Sequence, residues 1–314
     1  MKNKSNRFKF LKRIVPTLLR RVGISQYFNF LFRIKFDEVR INIPTIGGKG
    51  ENLLRQERDW KCDLLKILFK EKKEYIFLDV GANIGQTFLQ LLMAIGSNKN
   101  KLRYYAFEPN IDCYFILKKF VFSNIKNAVL FPWALGEKND YGKIYLFNEL
   151  DTGGSIIPEI RSRDKCNYEI ISTYKLDSIN DLKFSSGFIL KIDVEGYENE
   201  VIQGASEIIK TYRPIILCEV LHADSKDLIK RNTIRKKQLS ELLKNNNYQI
   251  WQIQKSNNSN EGRLAGIELI SDFPTGLCWW DSPSSVDFLI TPIEQEIHIY
   301  KLHKYLKKSS LQNL

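Results

Sequence analysis

Residues 77–87 read FLDVGANIGQT, in which an apolar strand passes through a glycine turn into a helix. Gly81 permits a tight turn without a Cβ clash, and Gly85 allows a ligand to approach the first turn of the helix. Around this stretch, continuous apolar strands alternate with helical stretches as far as residue 220. Strands that are apolar on both faces lie in parallel sheets covered by helices. The sequence therefore predicts an α/β fold with a doubly wound, mostly parallel sheet.

The alternation predicts the order of the elements. Strands are expected at residues 75–80, 103–107, 128–134, 188–192 and 214–220, and helices at 85–95, 112–122 and 198–210. The stretch 136–182 breaks the rhythm with turn residues and one predicted strand at 143–147. We expect it to be an insertion over the carboxyl edge of the sheet, where open α/β folds hold their ligands. Residues 248–253 (YQIWQI) and 286–290 (VDFLI) predict antiparallel strands that extend the sheet.

The positive charge of the chain is concentrated at its start. The formal net charge of the 314 residues is +12, a balance that normally favours a nucleic-acid partner. Residues 1–36 contain ten basic and no acidic residues, so only about +2 belongs to the rest of the chain. No specific nucleic-acid partner is therefore expected. We predict a basic amphipathic arm over residues 1–50, a main domain over 51–298 that includes the insertion at about 136–182, and a basic polar tail over 299–314.

Two interpretations of the arm stay open. Its apolar residues have the spacing of one helical face, although Pro16 interrupts it; they are Phe8, Leu11, Val15, Leu18 and Val22. Such a helix either packs on the main domain or a partner subunit, or makes peripheral contact with the inner face of an anionic membrane through its basic side chains and phenylalanines.

The composition also bears on the compartment. The five cysteines are far apart and show no C-x-x-C spacing, which argues against a disulfide framework or a zinc cluster. No apolar run approaches the roughly 18 residues of a membrane-spanning helix. We expect a cytoplasmic protein without a metal site.

The spacing of the glycine turn narrows the kind of ligand. Dinucleotide sites favour G-x-G-x-x-G, whose second glycine lets the backbone approach a pyrophosphate, whereas Asn83 stands at that position here. Asp79, before the turn, can receive a positive or hydrogen-bond-donating group. Glu108, at the end of the next strand, can accept hydrogen bonds from two ribose hydroxyls, with a helix N-cap as the alternative role. A ligand without phosphates fits this turn.

Acidic side chains are predicted to converge on the same edge of the sheet. Asp193 and Glu195 follow one buried strand, and Glu219 ends the next. Ionisable groups there are costly unless they serve a site. A negative crevice suits a cationic ligand such as S-adenosylmethionine, whose sulfonium gives up its methyl group by in-line attack. For a hydroxyl acceptor, the candidate bases are Asp193, Glu195 and His222, although His222 has a capping or orienting role as its alternative.

Several of these stretches together resemble the motifs of the FkbM-type S-adenosylmethionine-dependent methyltransferases. They are FLDVGANIGQT, YAFEPN, YKLDSI, LKIDVEGYENEVIQGA and IILCEV, and the resemblance covers residues 75–220. It implies a class I methyltransferase fold, with a Rossmann-like sheet that ends in an antiparallel hairpin. It also implies S-adenosylmethionine as cofactor and methyl transfer to a hydroxyl of a sugar or glycosylated small molecule.

The resemblance also implies roles for individual residues. The methionine part of the cofactor would be held by Asp79, Gly81, Asn83 and Gly85. Glu108 would hold the ribose, Ala134 would pack on the adenine, and Asp193 and Glu195 would face donor and acceptor. The alternatives are a methyltransferase acting on another small molecule or on RNA, and a nicotinamide-dependent oxidoreductase.

Overall fold

The computed structural model describes residues 29–36, 39–47, 49–70, 74–146, 154–157, 167–256, 262–277 and 286–295. The strands in these ranges are β1 (Asn29–Phe36), β2 (Val39–Ile46), β3 (Tyr75–Val80), β4 (Leu102–Phe107), β5 (Ala128–Phe131), β6 (Ala134–Leu135), β7 (Asp140–Leu146), β8 (Asn167–Tyr174), β9 (Ile189–Ile192), β10 (Ile215–Glu219), β11 (Tyr248–Lys255), β12 (Leu264–Ile270) and β13 (Asp287–Pro292). The α-helices are α1 (Glu51–Arg55), α2 (Trp60–Phe69), α3 (Gln86–Ile95), α4 (Ile111–Phe122), α5 (Glu198–Gly204), α6 (Ser206–Tyr212) and α7 (Ile229–Asn245).

The central sheet has eight strands in the order β12-β11-β13-β10-β9-β3-β4-β5. The pairs β4–β5, β3–β4, β3–β9 and β9–β10 are parallel, whereas β13 runs antiparallel to both β10 and β11. All six residues of β3 are buried, because this strand lies in the middle of a sheet that is covered on both faces. The predicted α/β fold and its antiparallel end are confirmed, and β12 adds an edge strand that was not predicted.

Two hydrophobic layers cover the sheet. On one face, α2, α3 and α4 pack through residues such as Leu64, Phe88 and Leu117. On the other face, α5, α6 and α7 pack through residues such as Val201 and Leu239. The sheet is therefore sandwiched between helices, and its strand ends remain available for a site.

The predicted helix over residues 198–210 is two helices. Ala205 has φ −112° and ψ 14° between them. The Asp177 carboxylate accepts hydrogen bonds from the backbone N–H groups of Glu207 and Ile208, at 3.0 Å each. Asp177 thereby satisfies free amides in the first turn of α6, as an N-cap side chain does, although it is distant in sequence.

The end of the predicted arm contains a hairpin that the sequence analysis did not predict. Strands β1 and β2 pair antiparallel from Asn29↔Ile46 to Phe36↔Val39. Ile41 and Ile43 are fully buried in the core on the α4 side of the sheet. Residues 29–46 are thus part of the folded domain, while the predicted helical face at residues 8–22 and the tail at 299–314 lie outside the described residues.

The insertion contains a small sheet of its own, in the order β6-β8-β7. The strand predicted at 128–134 is divided, because β5 belongs to the central sheet and β6 to this small sheet. Residues 154–157 lie against β7, where Tyr145 and Ser155 exchange backbone hydrogen bonds of 2.9 and 3.3 Å. Among the described helices, none is long and apolar enough to cross a membrane.

Candidate active site

A cavity of about 350 Å³ opens at the carboxyl ends of β3, β4, β9 and β10. Six predicted site residues line it, namely Gly81, Asn83, Glu108, Ala134, Asp193 and Glu195. Further lining residues come from the insertion (Ile144, Gly154, Ile156) and from the segment before β3 (Gln56, Asp59, Lys61). Asp79, Gly85 and His222 were predicted to belong to the site but do not line this cavity.

The glycine turn brings the chain across the end of β9. Gly81 has φ +73°, and a Cβ on it would lie 1.9 Å from the carbonyl oxygen of Asp193. Asn83 also adopts a left-handed conformation, with φ +50°, and its side-chain oxygen accepts a hydrogen bond from the N–H of Ile84 at 2.7 Å. These residues form a wall made largely of backbone, which a ligand can approach closely.

Gly85 packs closely on a neighbouring helix. Its φ is +97°, and a Cβ there would meet the Phe120 ring at 2.9 Å and Leu117 at 3.2 Å. The residue therefore lets the start of α3 pack tightly on α4. Because Gly85 does not line the cavity, its predicted contact with the cofactor stays a prediction, and the structure shows a packing role.

Glu108 lies at the cavity with both carboxylate oxygens fixed. One oxygen accepts a hydrogen bond from the Asn83 N–H at 2.7 Å, and the other from the Asn110 N–H at 2.8 Å. Burial raises the pKa of Glu108 to about 7, although both bonds oppose the shift. The cap of α4 is Asn110, whose side chain accepts from the N–H groups of Asp112 and Cys113. Glu108 is thus held rigid at the cavity without being a helix cap.

Asp79 lies beneath the turn in a buried ionic network. Its carboxylate accepts a hydrogen bond from the Tyr104 hydroxyl at 2.7 Å and pairs with the Lys191 ammonium at 3.1 Å. The same ammonium donates to the Gly81 carbonyl oxygen at 2.6 Å and lies 3.3 Å from a carboxylate oxygen of Asp193. Asp79 does receive a positive group, as predicted, but that group is Lys191. Asp79 therefore supports the turn through Lys191 and Tyr104. Its predicted contact with the cofactor stays a prediction, since Asp79 does not line the cavity.

Three carboxylates meet at the cavity beyond the turn. One oxygen from each of Asp193, Glu195 and Glu219 lies within 4.8 Å of the others. Burial and the neighbouring Asp193 carboxylate raise the pKa of Glu219 well above its usual range. Although burial opposes it, Lys191 lowers the pKa of Asp193. The two pKa values are thus shifted in opposite directions, because Asp193 and Glu219 are neighbouring acids and Lys191 pairs with Asp193. The cluster of three acidic side chains favours a cation.

Glu195 links this cluster to the insertion. Its φ is +55°, and Gly196 after it has φ +104°, so the chain turns sharply before α5. The Ser155 hydroxyl donates a hydrogen bond to the Glu195 carbonyl oxygen at 2.7 Å. The insertion therefore holds the backbone of a predicted catalytic residue in place.

His222 lies elsewhere. Its Nδ1 is 2.9 Å from the ammonium of Lys236, and both side chains are buried. Burial and that ammonium lower the pKa of His222 to about 4. The structure does not place His222 at the cavity with Asp193 and Glu195, so its role as a base has no support from the geometry. Its position depends on the fold of the chain after β10, where Gly276 packs directly on the imidazole ring.

The wall formed by Gln56, Asp59 and Lys61 was missed by the sequence analysis. The Asp59 carboxylate caps α2 by accepting from the N–H groups of Lys61 and Cys62 at 2.8 and 3.3 Å. The Lys61 ammonium lies 3.8 Å from Asp59 and 4.6 Å from the centre of the Trp60 ring. Although burial opposes it, four carboxylates raise the pKa of Lys61, namely Asp59, Asp287, Glu219 and Asp193.

Contacts distant in sequence fix this wall. The backbone N–H of Trp60 donates a hydrogen bond to the carbonyl oxygen of Gly262 at 2.8 Å. The Arg263 guanidinium donates to both carboxylate oxygens of Asp63, at 2.6 and 2.7 Å across 200 positions of sequence. Asp59 before an apolar stretch is a recognisable N-cap signal for α2. No local signal, however, could have predicted that α2 lies at the cavity.

Comparisons with known proteins agree with the motifs. A family model described as "Methyltransferase FkbM domain" matches residues 79–253. No curated protein sequence matches the chain.

Three solved structures illustrate how distant the structural similarities are. A methyltransferase FkbM from Methylobacillus flagellatus KT is 16% identical, with 60% of this chain and 45% of that chain covered and a TM-score of 0.33. A precorrin-6y C5,15-methyltransferase from Geobacter metallireducens GS-15 is 14% identical, with coverages of 73% and 85% and a TM-score of 0.33. M. jannaschii TYW2, in complex with AdoMet, is 10% identical, with coverages of 83% and 84% and a TM-score of 0.32. Likeness this slight supports no inference about substrate or mechanism, and the chain spans less than half of the Methylobacillus protein.

Proposed function

Because the chain belongs to the FkbM methyltransferase family, we propose that it transfers a methyl group from S-adenosylmethionine to a hydroxyl group of a sugar or glycosylated small molecule. The observation that carries the proposal is the cavity itself. It joins a rigid carboxylate, Glu108, to a cluster of carboxylates at Asp193 across a wall of backbone at Gly81. A nucleoside bearing a positive charge is complementary to that arrangement.

The donor end is defined by Glu108 and the glycine turn. Each Glu108 oxygen accepts one backbone N–H and has a further lone pair, so the carboxylate can accept both hydroxyl hydrogens of a ribose. Ala134 and Trp133 line the same end and offer an apolar surface for a base. When bound, S-adenosylmethionine supplies an electrophilic methyl group attached to a positively charged sulfur.

The acceptor end is defined by Asp193 and Glu195. The ionised Asp193 carboxylate can take the proton of an acceptor hydroxyl as that oxygen becomes methylated. Lys191 fixes the Asp193 side chain, and the neighbouring Glu219 has a pKa that burial and Asp193 raise well above its usual range. Glu195 is the second candidate base. The acceptor end also holds the acceptor oxygen in line with the methyl group.

The composition of this end supports a neutral acceptor rich in hydroxyl groups. Gln56, Asp59 and Lys61 line the same cavity as Asp193 and Glu195 and provide both hydrogen-bond donors and acceptors. Sugars match such walls because every hydroxyl both donates and accepts.

The direct test is methyl transfer from radiolabelled S-adenosylmethionine to a panel of monosaccharides, nucleotide sugars and RNA oligonucleotides. We expect isothermal titration calorimetry to show binding of S-adenosylhomocysteine, and the label to appear in a carbohydrate. Absence of binding to the folded, purified protein would rule out the donor assignment. Binding accompanied by labelling of RNA alone would keep the donor and rule out the acceptor.

We expect Asp193→Asn to lower methyl transfer roughly 100-fold or more while the Kd for S-adenosylhomocysteine changes less than about threefold. The amide keeps the size of the side chain but cannot take the proton. Initial rates at saturating donor, with the acceptor identified above, provide the measurement. Asp272→Asn is the matched control, because Asp272 pairs with Lys244 at the surface and does not line the cavity. Equal losses in the two variants would indicate a structural effect and remove Asp193 as the base.

We also expect affinity for S-adenosylhomocysteine to increase with pH. Because the pKa of Glu108 is about 7, its carboxyl group is mostly protonated at about pH 6 and mostly ionised at about pH 8. Only the ionised form accepts from both ribose hydroxyls, so the Kd should be roughly tenfold larger at the lower pH.

Two variants test the assignment by calorimetry. Glu108→Gln should bind more weakly at about pH 8 and lose most of the pH dependence. Glu198→Gln is the control, since burial also raises the pKa of Glu198 to about 7, but this side chain does not line the cavity. A pH dependence that survives in Glu108→Gln would contradict the ribose assignment.

A further inference from the structure

A stripe of exposed side chains follows the outer face of α4. Ile111, Phe115, Lys118 and Phe122 are spaced by four, three and four residues, which places them on one side of the helix. Phe115 is 56% exposed and Phe122 is 50% exposed. Two solvent-exposed phenylalanine rings a few turns apart are unusual on a helix whose opposite side packs on a core, and they indicate a surface that contacts something.

The hairpin extends this stripe. The backbone N–H of Asn42, in β2, donates to the Asn124 side chain at 2.9 Å, and the Asn42 amide donates to the Ser123 carbonyl oxygen at 2.7 Å. Arg33 of β1 lies opposite Asn42 and donates to its side-chain oxygen at 3.2 Å. Arg33 is thereby brought next to the end of α4.

We define the basic apolar face as the exposed residues of this joined surface. Its members are Leu31, Arg33 and Lys35 of β1, Ile111, Phe115, Lys118, Lys119 and Phe122 of α4, and Lys126 after it. Leu31 is 51% exposed and shares its side of the strand with Arg33 and Lys35. The face therefore combines bulky apolar groups with five basic side chains.

Little negative charge accompanies these groups. Asp112 is the single acidic residue of α4 and of β1 taken together, and it pairs with Lys49 at 3.3 Å. Asp37 and Glu38, the two acidic residues that directly follow β1 in the sequence, lie outside the described residues. The chain before β1, residues 1–28, has eight basic and no acidic residues. Both the face and the segment that leads into it carry the same sign of charge.

We propose that the basic apolar face docks on the surface of an anionic lipid bilayer. Aromatic and aliphatic side chains that insert at the headgroup boundary, flanked by lysine and arginine that attract anionic lipids, are the two components of peripheral membrane binding. Residues 1–28 do not complement the face, since their charge has the same sign. A second copy presenting the same face would set lysine against lysine, which is unfavourable. This inference does not depend on the identity of the methyl acceptor.

The test is flotation with vesicles of phosphatidylcholine, with and without phosphatidylglycerol, at low and high salt. We expect the full chain to float with the anionic vesicles and to be released by salt. Phe115→Ser/Lys118→Glu should lower the partition coefficient roughly tenfold or more, because it removes an inserting ring and reverses one charge. Neither residue lines the cavity, so binding of S-adenosylhomocysteine by calorimetry verifies that the variant is folded.

The matched control is Ile234→Ser/Lys237→Glu on α7. This pair has the same spacing on an exposed helix side and the same charge change, but it lies on the opposite side of the central sheet. The control should float like the unmodified chain.

Three outcomes would overturn the proposal. Equal flotation of the face variant and the unmodified chain would show that the face does not contact lipid. Absence of flotation, with a dimer by light scattering that the face variant abolishes, would assign the face to a second copy. Absence of flotation, with RNA binding that the variant abolishes, would assign it to nucleic acid.

Discussion

Gly81→Ala is expected to lose at least about 3 kcal/mol of unfolding free energy and to weaken S-adenosylhomocysteine binding roughly 100-fold. Two physical effects combine at this position. The left-handed φ of +73° disfavours any residue with a Cβ, and that Cβ would lie 1.9 Å from the carbonyl oxygen of Asp193. The clash is between two backbone segments, so no side-chain rotation relieves it. The end of β3 must move away from the end of β9, and the residues that follow both strands line the cavity.

Two other glycines separate these effects. Gly96 has φ +62°, but the nearest atom to an added Cβ is 3.5 Å away, so Gly96→Ala should cost only the conformational penalty of about 1–2 kcal/mol. Gly204 has an ordinary helical backbone, but its Cβ would lie 1.9 Å from the Gly136 carbonyl oxygen. Gly204→Ala should therefore cost more stability than Gly96→Ala.

Urea unfolding and calorimetry on the three variants give the comparison. Neither Gly96 nor Gly204 lines the cavity, so both controls should keep the Kd within about threefold when folded. If Gly81→Ala were no less stable than Gly96→Ala and bound the ligand normally, the close approach of the turn to β9 would be wrong.

Lys191→Met is the second change with a large expected effect. Lys191 and Asp79 are both buried, and their charged groups are 3.1 Å apart. Removing the ammonium leaves the Asp79 carboxylate with the Tyr104 hydroxyl as its remaining described side-chain partner, and it removes the counter-ion of Asp193. Breaking a buried ion pair from one side costs about 3–5 kcal/mol, because an uncompensated charge stays in a medium of low polarity.

Asp79→Asn/Lys191→Met tests that explanation. With the carboxylate neutralised, the double variant should recover to within about 2 kcal/mol of the unmodified protein in urea unfolding. Lys255→Met serves as the control, since Lys255 forms a buried pair with Asp287 but does not line the cavity. It should lose stability and keep its affinity for S-adenosylhomocysteine. A double variant no more stable than Lys191→Met would show that packing, and not charge, determines the loss.

The parts of the fold that were predicted are those encoded by neighbouring residues. Strand β3 matches the predicted 75–80, and α3 starts one residue after the predicted boundary, because apolar runs and glycine turns are local signals. The strand ends also placed Glu108, Asp193 and Glu195 at the cavity, since the carboxyl ends of parallel strands share one edge.

The parts that were missed depend on contacts between distant residues. Asp79 was predicted to meet a positive group, but the sequence could not tell that Lys191 supplies it. His222 follows β10 as expected, yet the packing of Gly276 and Lys236 determines where its ring lies. The hairpin β1–β2 has an apolar and basic composition that also suits a helix or a surface segment, and its pairing with α4 is a tertiary contact.

The bonds from Trp60 to Gly262 and from Asp63 to Arg263 have a consequence for biosynthesis. During synthesis, the glycine turn and strands β9 and β10 leave the ribosome long before residue 264 does. The parallel strands can therefore form first, while α2 still lacks its partners at residues 262 and 263. The wall that carries Lys61 is therefore completed only after residues 262–264 have left the ribosome.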